Sequence, residues 1–210
     1  MASTQRSSNG RQGAGLSREL IVATAREMIE ADGLGELSLR RLADRLGVTA
    51  TALYKHVESK SDLLRSVAAG EFERVSQHLA AGASLASPLD RLRCFARSYV
   101  DFARESPKLF PVLFLFPPNV EGGETTGNLP SATDAFRYGL EPIRDAMEAG
   151  ELAPRDPLLA GLTMWTAMHG AAEVALMGMG LGREREDQLI ESLIECVIAG
   201  LRQKPGAAGA

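Results

Sequence analysis

Apolar residues recur every three to four positions along almost the whole of this 210-residue chain, and no alternating strand pattern of convincing length interrupts them. This period puts apolar side chains on one face of an α-helix, so it predicts an all-α fold. With 45% hydrophobic residues, the chain can bury a sizeable core without disulfide or metal support. The sequence predicts no metal and no cofactor.

Capping residues divide the chain into a cluster of short helices followed by longer ones. Gly33 and Gly47 are predicted as left-handed stops, and a Gly- and Pro-rich loop is predicted over 117–129. The predicted helices cover about 17–32, 38–46, 49–56 and 59–82, then one from 88, a short apolar segment at 109–116, one ending at 150, and two over 158–178 and 184–202.

These helices predict two domains with short extensions. We expect a disordered basic arm over 1–15, a small domain over 16–65, a larger domain over 66–204 and a disordered tail over 205–210. The net charge is −4, but residues 1–60 hold nine Lys/Arg against seven Asp/Glu, so the acidic excess belongs to the remainder. A polyanion is therefore expected to meet the N-terminal end.

The sequence favours a cytoplasmic protein with no membrane partner. The first fifteen residues lack an apolar leader segment, and no apolar run reaches the 18 residues that a membrane span needs. Cys94 and Cys196 lie in apolar helical contexts, where core packing and a redox pair are the two alternatives.

The segment Leu39–Lys60, LRRLADRLGVTATALYKHVESK, contains two short helices that meet at Gly47. Ala43 is small where the helices cross, and Leu42 and Leu53 supply apolar positions on facing sides. This spacing predicts a helix-turn-helix, whose second helix enters the major groove of DNA. An ordinary helical hairpin is the alternative.

The stretch VTATALYKHVESKSDLL resembles the N-terminal domain of the tetracycline-repressor (TetR) family, and the resemblance extends over about residues 17–70. Val57 departs from the family pattern, which prefers an aromatic residue there. The run Trp165-x-x-x-His169-Gly170 resembles a Trp-His-Gly signature of one C-terminal subgroup. The resemblance implies an N-terminal three-helix DNA-binding domain and a larger C-terminal domain for ligand binding and dimerisation, in a regulator that is not an enzyme.

The resemblance also implies roles for individual residues. Ala50, Thr51 and Lys55 are placed at base edges, where a Thr methyl suits thymine and Lys suits guanine. Phosphate contacts are expected from Ser38, Arg40, Thr49, Tyr54, His56 and Lys60.

Some of these roles have a structural alternative. Thr49 caps its helix, Tyr54 would pack against the first helix, and Arg40 and Arg41 would form a solvated face. Arg6 and Arg11 either reach an adjacent groove or belong to a disordered tail.

The resemblance implies a small-molecule effector, and aromatic and Met residues in the C-terminal half support an apolar pocket. Plain core packing is the alternative for each of them. The candidate ligand residues are Tyr99, Phe102, Phe110, Phe114, Phe136, Met164, Trp165, Met168, His169 and Glu173. His169 and Glu173 are four residues apart on one helical face, so they either pair with each other or anchor a polar atom of the ligand.

The last two helices are predicted to form a homodimer through a four-helix bundle. Small residues at 161, 167, 170 and 171 would allow close approach, and the apolar face over 189–201 is too large to leave exposed. A two-fold dimer would present two recognition helices to a pseudo-palindromic double-stranded DNA operator. The predicted function is a ligand-responsive regulator, repressing by the family default, that the effector releases from DNA.

Three other functions were weighed. An enzyme is disfavoured because the three His residues are scattered and no nucleophile elbow or dinucleotide loop is present. An architectural DNA-binding protein is disfavoured by the pI of about 5.5. A regulator controlled by a protein partner, rather than by a small molecule, stays open.

Overall fold

The computed structural model describes residues 15–80, 82–120 and 129–203, and the regular secondary structure in those ranges is entirely helical, as the sequence predicts. The predicted tail at 205–210, the predicted arm apart from Gly15, and most of the predicted loop at 117–129 lie outside the described residues. The helices are α1 (Arg18–Asp32), α2 (Leu39–Leu46), α3 (Ala50–Leu53), α4 (Lys60–Ala80), α5 (Pro88–Glu105), α6 (Phe110–Leu113), α7 (Pro130–Glu148), α8 (Pro157–Met177) and α9 (Arg183–Arg202).

The first three helices and the start of α4 enclose a small core. Ile21 and Ile29 of α1, Leu42 of α2 and Leu53 of α3 are fully buried in it. Val57 is also buried there, so the position that departs from the family pattern still serves as core. Burial of apolar area at these sites is the main stabilising term for so small a domain.

Two details of this region differ from the sequence prediction. The α3 helix ends at Leu53, and the residues up to His56 form turns, because His56 N donates to Leu53 O in a three-residue spacing. Gly33 has φ 96° and ψ 162°, so it ends α1 with an extended ψ and leads into a 3-10 turn over Leu34–Glu36. Gly47, at φ 69° and ψ 30°, does adopt the left-handed conformation that the turn requires.

Helix α4 belongs to both cores. Its first half contributes Leu63 and Val67 to the N-terminal core, and its second half contributes Val75 and Leu79 to the C-terminal core. The domain boundary predicted at 65/66 therefore falls inside a continuous helix.

Helices α5, α7, α8 and α9 pack with the end of α4 around the larger core. Ion pairs join α5 to α9 along their length: Arg93 Nε lies 2.6 Å from Glu195 Oε1, and Arg104 Nη1 lies 2.6 Å from Asp187 Oδ1. Arg97 pairs with Glu191 between them. These contacts fix α9 against α5, and the opposite side of α9 faces away from the protomer.

Candidate DNA-binding surface and ligand cavity

The two helices of the helix-turn-helix are capped by their predicted residues. Ser38 Oγ accepts a hydrogen bond from Arg41 N at 3.2 Å, and Thr49 Oγ1 accepts one from Ala52 N at 3.3 Å. Each hydroxyl satisfies a donor at a helix N-terminus that has no partner within the helix. Both hydroxyls are therefore occupied by capping and hold the orientation of α2 and α3.

The side chains predicted to meet DNA form one exposed surface at α3. Ala50, Thr51 and Lys55 are exposed, and Tyr54 is 57% exposed, so its ring is not packed against α1. Lys60, at the start of α4, is exposed as well.

Arg40 and Arg41 differ in their surroundings. Arg41 pairs with Glu36 at 2.7 Å and with Asp32 at 3.1 Å. Arg40 is exposed and has no ion pair within the described residues. The solvated-face alternative thus fits Arg41, whose charge is neutralised, better than Arg40.

Arg18, the first residue of α1, joins the turn that follows α3 to the start of α4. Its Nη1 donates to the His56 carbonyl at 2.6 Å, and its two terminal nitrogens hold both oxygens of Asp62 at 2.6 and 3.0 Å. Nη2 also donates to Ser66 Oγ at 2.8 Å. The hydrogen bond from Arg18 holds the pKa of the Asp62 carboxyl below its ordinary value. His56 therefore accepts the hydrogen bond from Arg18 through its backbone carbonyl. Its ring is half-buried.

A buried carboxylate joins α1 to α4. Glu71 is 1% exposed and accepts from Arg26 Nε at 2.7 Å and from Arg74 Nη1 at 2.8 Å. The Arg74 guanidinium also lies over the Phe102 ring, 5.7 Å from its centroid. A buried charge requires such partners, so this cluster fixes α4 between the two domains.

A cavity of about 280 Å³ lies between α4, α5, α7, α8 and the segment that follows α6. Six aromatic side chains line it, and the rest of the wall is largely aliphatic. No charged side chain is among the lining residues that the structure describes. Such a cavity is typical of a site for an apolar small molecule.

Six of the ten predicted ligand residues lie on this wall: Tyr99, Phe114, Phe136, Met164, Trp165 and Met168. The sequence prediction missed all of the other described lining residues, which include Phe72, Val75, Leu79, Leu92, Phe95, Leu113, Leu140 and Ile143. Their spacing is that of ordinary core residues, so nothing in the sequence marks them as cavity-lining.

The other four predicted ligand residues lie off the wall. Phe102 is fully buried and turns toward α4, where its ring meets His78 edge-on at 5.4 Å. Phe110 is fully buried behind Tyr99 and Phe114. His169 and Glu173 are half-buried on α8 and outside the lining set.

His169 forms a layer behind the cavity. Its ring stacks on Trp165 at 5.7 Å and lies 4.4 Å from the centroid of Phe114. No ion pair or hydrogen bond joins His169 to Glu173 within the described part of the chain, so the pairing alternative is not realised here. His169 Nδ1 instead lies 3.5 Å from the Tyr99 hydroxyl.

Tyr99 carries a hydroxyl on the wall, where Trp165 carries an indole N–H. Burial raises the pKa of the Tyr99 phenol, so the phenol keeps its proton at neutral pH. Tyr99 therefore has a hydroxyl proton to donate at the edge of an otherwise apolar site.

Helix α6 connects the cavity to the small domain. Leu113 and Phe114 line the cavity, whereas Leu109, Val112 and Phe116 are buried in the N-terminal core. The Lys108 ammonium also donates to the Ala31 carbonyl at the end of α1. A displacement of the cavity wall at α6 would therefore also move residues of the N-terminal core that supports α3.

The small residues predicted to bring α8 against a partner behave differently from one another. Gly161 packs inside its own protomer, where an added Cβ would overlap Leu140 Cδ2. Ala171 is buried and Ala167 packs against the core, while Gly170 has open space beside it.

The apolar face of α9 is also largely used within the protomer. Ile190, Ile194, Ile198 and Leu201 are buried. The apolar residues left exposed on these two helices include Leu159, Met177 and Leu189. The face over 189–201, which the sequence predicts is too apolar to leave exposed, is thus covered in large part within the protomer, and the homodimer through these helices stays a prediction.

Within residues 15–80, 82–120 and 129–203, no group of three His, Cys, Asp or Glu side chains is placed to hold a metal ion. A search of the same described residues finds no helix with the length and apolar character of a membrane span.

Comparisons with known proteins match both parts of the chain. Residues 21–67 match the family described as "Bacterial regulatory proteins, tetR family", and residues 92–197 match "Tetracyclin repressor-like, C-terminal domain". The HTH-type transcriptional regulator Rv0681 of Mycobacterium tuberculosis is 28% identical over 165 residues, which are 78% of this chain and 72% of that protein.

Solved structures share the whole fold. A protein of unknown function from Rhodococcus sp. RHA1 superposes with a TM-score of 0.77 at 25% identity, over 93% of this chain and all of that chain. AibR, solved with isovaleryl coenzyme A and operator DNA, superposes with a TM-score of 0.60 at 17% identity, over 85% of this chain and 96% of that chain.

The second family match alone spans half of the chain, and the first covers the helix-turn-helix. Together with the capped helix pair at Gly47, these matches establish the resemblance that the sequence indicates. The chain therefore belongs to the TetR family and is a DNA-binding transcriptional regulator, not an enzyme.

Proposed function

We propose that this protein is a cytoplasmic repressor that binds a pseudo-palindromic operator as a homodimer and leaves it when a small, largely apolar effector occupies the C-terminal cavity. The observation that carries this proposal is that two helices contribute both to the cavity and to the N-terminal domain. Helices α4 and α6 supply wall residues to the cavity and core residues to the helix-turn-helix domain.

The α3 surface supplies the DNA contacts. Thr51 and Lys55 meet base edges beside the small Ala50, while Tyr54 and Lys60 meet phosphates on either side. Arg40 adds a phosphate contact from α2, because its charge is not neutralised by a described carboxylate, whereas that of Arg41 is.

Helices α8 and α9 supply the dimer surface. Leu159, Met177 and Leu189 are exposed apolar residues on these two helices, and Gly170 leaves room for a close approach. A two-fold axis at this surface gives two recognition helices, which read half-sites about one helical turn, or a multiple of it, apart.

The effector acts by favouring one arrangement of α4 and α6. Because Leu113 and Phe114 line the cavity while Val112 lies in the N-terminal core, a ligand that displaces the wall also moves the base of the small domain. The ligand must bind the released arrangement more tightly than the DNA-bound one, since equal affinity shifts nothing. The AibR structure, which holds both a small molecule and operator DNA, supports the presence of a small-molecule site and a DNA surface in one protein of this fold.

Control by a protein partner is the competing proposal. It would use an exposed surface and would leave the cavity without a role. The aromatic wall and the volume of about 280 Å³ favour a small molecule instead.

The test is selection of bound sequences from a random duplex library, followed by a salt titration on the enriched duplex. We expect a pseudo-palindrome bound by two protomers, with affinity that falls steeply as salt rises. Recovery of no enriched sequence from ligand-stripped, refolded protein would contradict the proposal.

Two lysine variants separate the predicted roles. Lys55→Ala should relax the base preference at one position of each half-site. Lys60→Ala should weaken all duplexes about equally and reduce the salt slope by about 1. The same change in both variants would show that Lys55 does not read a base.

A further inference from the structure

The cavity carries information about the chemistry of its ligand. No Lys, Arg, Asp or Glu is among the described residues that line it, and the N–H and O–H side-chain groups of those lining residues are the Trp165 indole and the Tyr99 hydroxyl. A charged ligand group would lose its hydration without gaining a partner of opposite charge. Building on the proposed function, we infer that the effector is an uncharged two-ring-sized molecule whose single hydrogen-bond acceptor is held by the Tyr99 hydroxyl.

The size follows from the volume. An apolar cavity of about 150 Å³ holds one benzene ring. The cavity here is about 280 Å³, close to twice that value. The flat faces of Phe72, Phe95 and Trp165 on the wall suit stacked or edge-on contact with a second ring system.

The position of the acceptor follows from the surroundings of Tyr99. The polar group of Trp165, its neighbour on the wall, is an indole N–H, which can only donate, so Trp165 cannot take the hydroxyl proton. The hydrogen-bond contact of the Tyr99 hydroxyl among the described residues is His169 Nδ1 at 3.5 Å, which is long for a hydrogen bond from a hydroxyl. A ligand carbonyl, ether or alcohol oxygen inside the cavity can therefore take this proton at about 2.8 Å.

The inference separates this site from one for acyl-coenzyme A or for a carboxylic acid. Both ligands bring negative charge, and the described wall offers no cation to meet it. The inference also excludes a cationic ligand. Six aromatic faces could attract a cation through their π electrons, but the described wall offers no carboxylate to neutralise it. Glu173, the acid on α8, lies outside the wall.

Four biphenyl probes of nearly equal size test the charge and the acceptor. They are biphenyl, biphenyl-4-methanol, biphenyl-4-carboxylate and protonated biphenyl-4-methylamine. Trp165 is the single tryptophan of the chain and lies on the wall, so its fluorescence reports binding to the full-length protein directly. No DNA is needed, and a failure here is therefore distinguishable from a failure of operator binding.

We expect biphenyl-4-methanol to bind about three- to tenfold more tightly than biphenyl, the range for one hydrogen bond. Both charged probes should bind at least about tenfold more weakly than the alcohol. Tighter binding of the carboxylate or of the amine would overturn the inference, and so would the absence of any Trp165 response up to the solubility limit of the neutral probes.

Tyr99→Phe removes the hydroxyl and keeps the ring. It should abolish the advantage of the alcohol over biphenyl, so that the two probes bind the variant about equally. Tyr138→Phe is the matched control, because Tyr138 contacts Phe95 but lies outside the wall. An alcohol advantage that survives Tyr99→Phe would show that another group holds the acceptor.

Discussion

The two halves of this molecule arrange their functional residues in opposite ways. In the N-terminal domain, the exposed surface lies within the 22 residues Leu39–Lys60 and is held by two side-chain caps and a glycine turn. In the C-terminal domain, the cavity wall is drawn from α4, α5, α7 and α8 and from the segment around α6. A site that is local in sequence is specified by a motif, whereas a site assembled from distant helices is specified by packing.

The halves also differ in how they are tied together. At the N-terminal end, polar clusters at Arg18 and Glu71 each join α1 to α4 across the apolar core. Apolar contacts dominate around the cavity. The comparison indicates a rigidly positioned DNA surface and a ligand site whose shape depends on side-chain packing, with α4 common to both.

The largest effect is expected from removing core volume beneath the recognition helix. Leu53→Ala should lower the free energy of unfolding by about 2–5 kcal/mol and abolish DNA binding, because Leu53 is fully buried under α3. Leu152→Ala removes a residue that is buried as deeply in the C-terminal core. Urea unfolding and duplex binding should show similar destabilisation but retained DNA binding for Leu152→Ala, and loss of DNA binding in both variants would argue against separate roles.

A smaller effect is expected at the buried carboxylate that joins the domains. Glu71→Gln keeps the shape but weakens the hydrogen bonds to Arg26 and Arg74, which should cost about 1–3 kcal/mol. Glu73→Gln, at an exposed position of the same helix, should change stability by less than about 0.5 kcal/mol. Equal shifts in melting temperature for the two variants would show that Glu71 does not help to join the two domains.

Gly161→Ala sharpens the comparison within the C-terminal half. The new methyl group would push Leu140 into the cavity, while alanine favours the helix, so stability should change by no more than about 1 kcal/mol. The Trp165 response to biphenyl should nevertheless weaken. Gly170→Ala has open space and should leave biphenyl binding intact; if it instead weakened that binding, the cavity would not be as the structure places it.

The smallest effect is a pH dependence at the N-terminal end. The pKa of Asp62 is lowered in the folded protein, so its ion pair with Arg18 stabilises the fold above the ordinary carboxyl pKa of about 4. That stability is lost as pH falls from this value through the lower folded pKa. Asp62→Asn should flatten the corresponding part of a stability-against-pH curve, whereas Asp134→Asn, at a position that is 74% exposed, should not. Parallel curves for the two variants would contradict the assignment.

The sequence predicted the N-terminal site more completely than the cavity, for physical reasons. Caps, a turn glycine and apolar spacing act within a few residues, so Ser38, Gly47 and Thr49 could be assigned correctly. The early end of α3 at Leu53 could not be, because the turns that follow it form no separate pattern.

In the C-terminal half, an aromatic residue on a helix signals burial but not the neighbour it faces. Tyr99 and Phe102 are three residues apart on α5, yet one lines the cavity and the other turns to Arg74 and His78. Phe72 and Phe95 carry the same signal as any core residue and were missed. Only the packing of several helices decides which of these side chains border the empty volume.

The central claim is that the cavity and the DNA surface are coupled through α4 and α6. The most direct test follows Trp165 fluorescence and the anisotropy of a labelled operator duplex in one titration with a probe that binds the cavity. If the two sites are coupled, the probe weakens duplex binding and the duplex weakens probe binding by the same factor, as thermodynamic linkage requires. If each binding constant is unchanged by the other ligand, the two sites are independent and the proposed coupling through α4 and α6 is wrong.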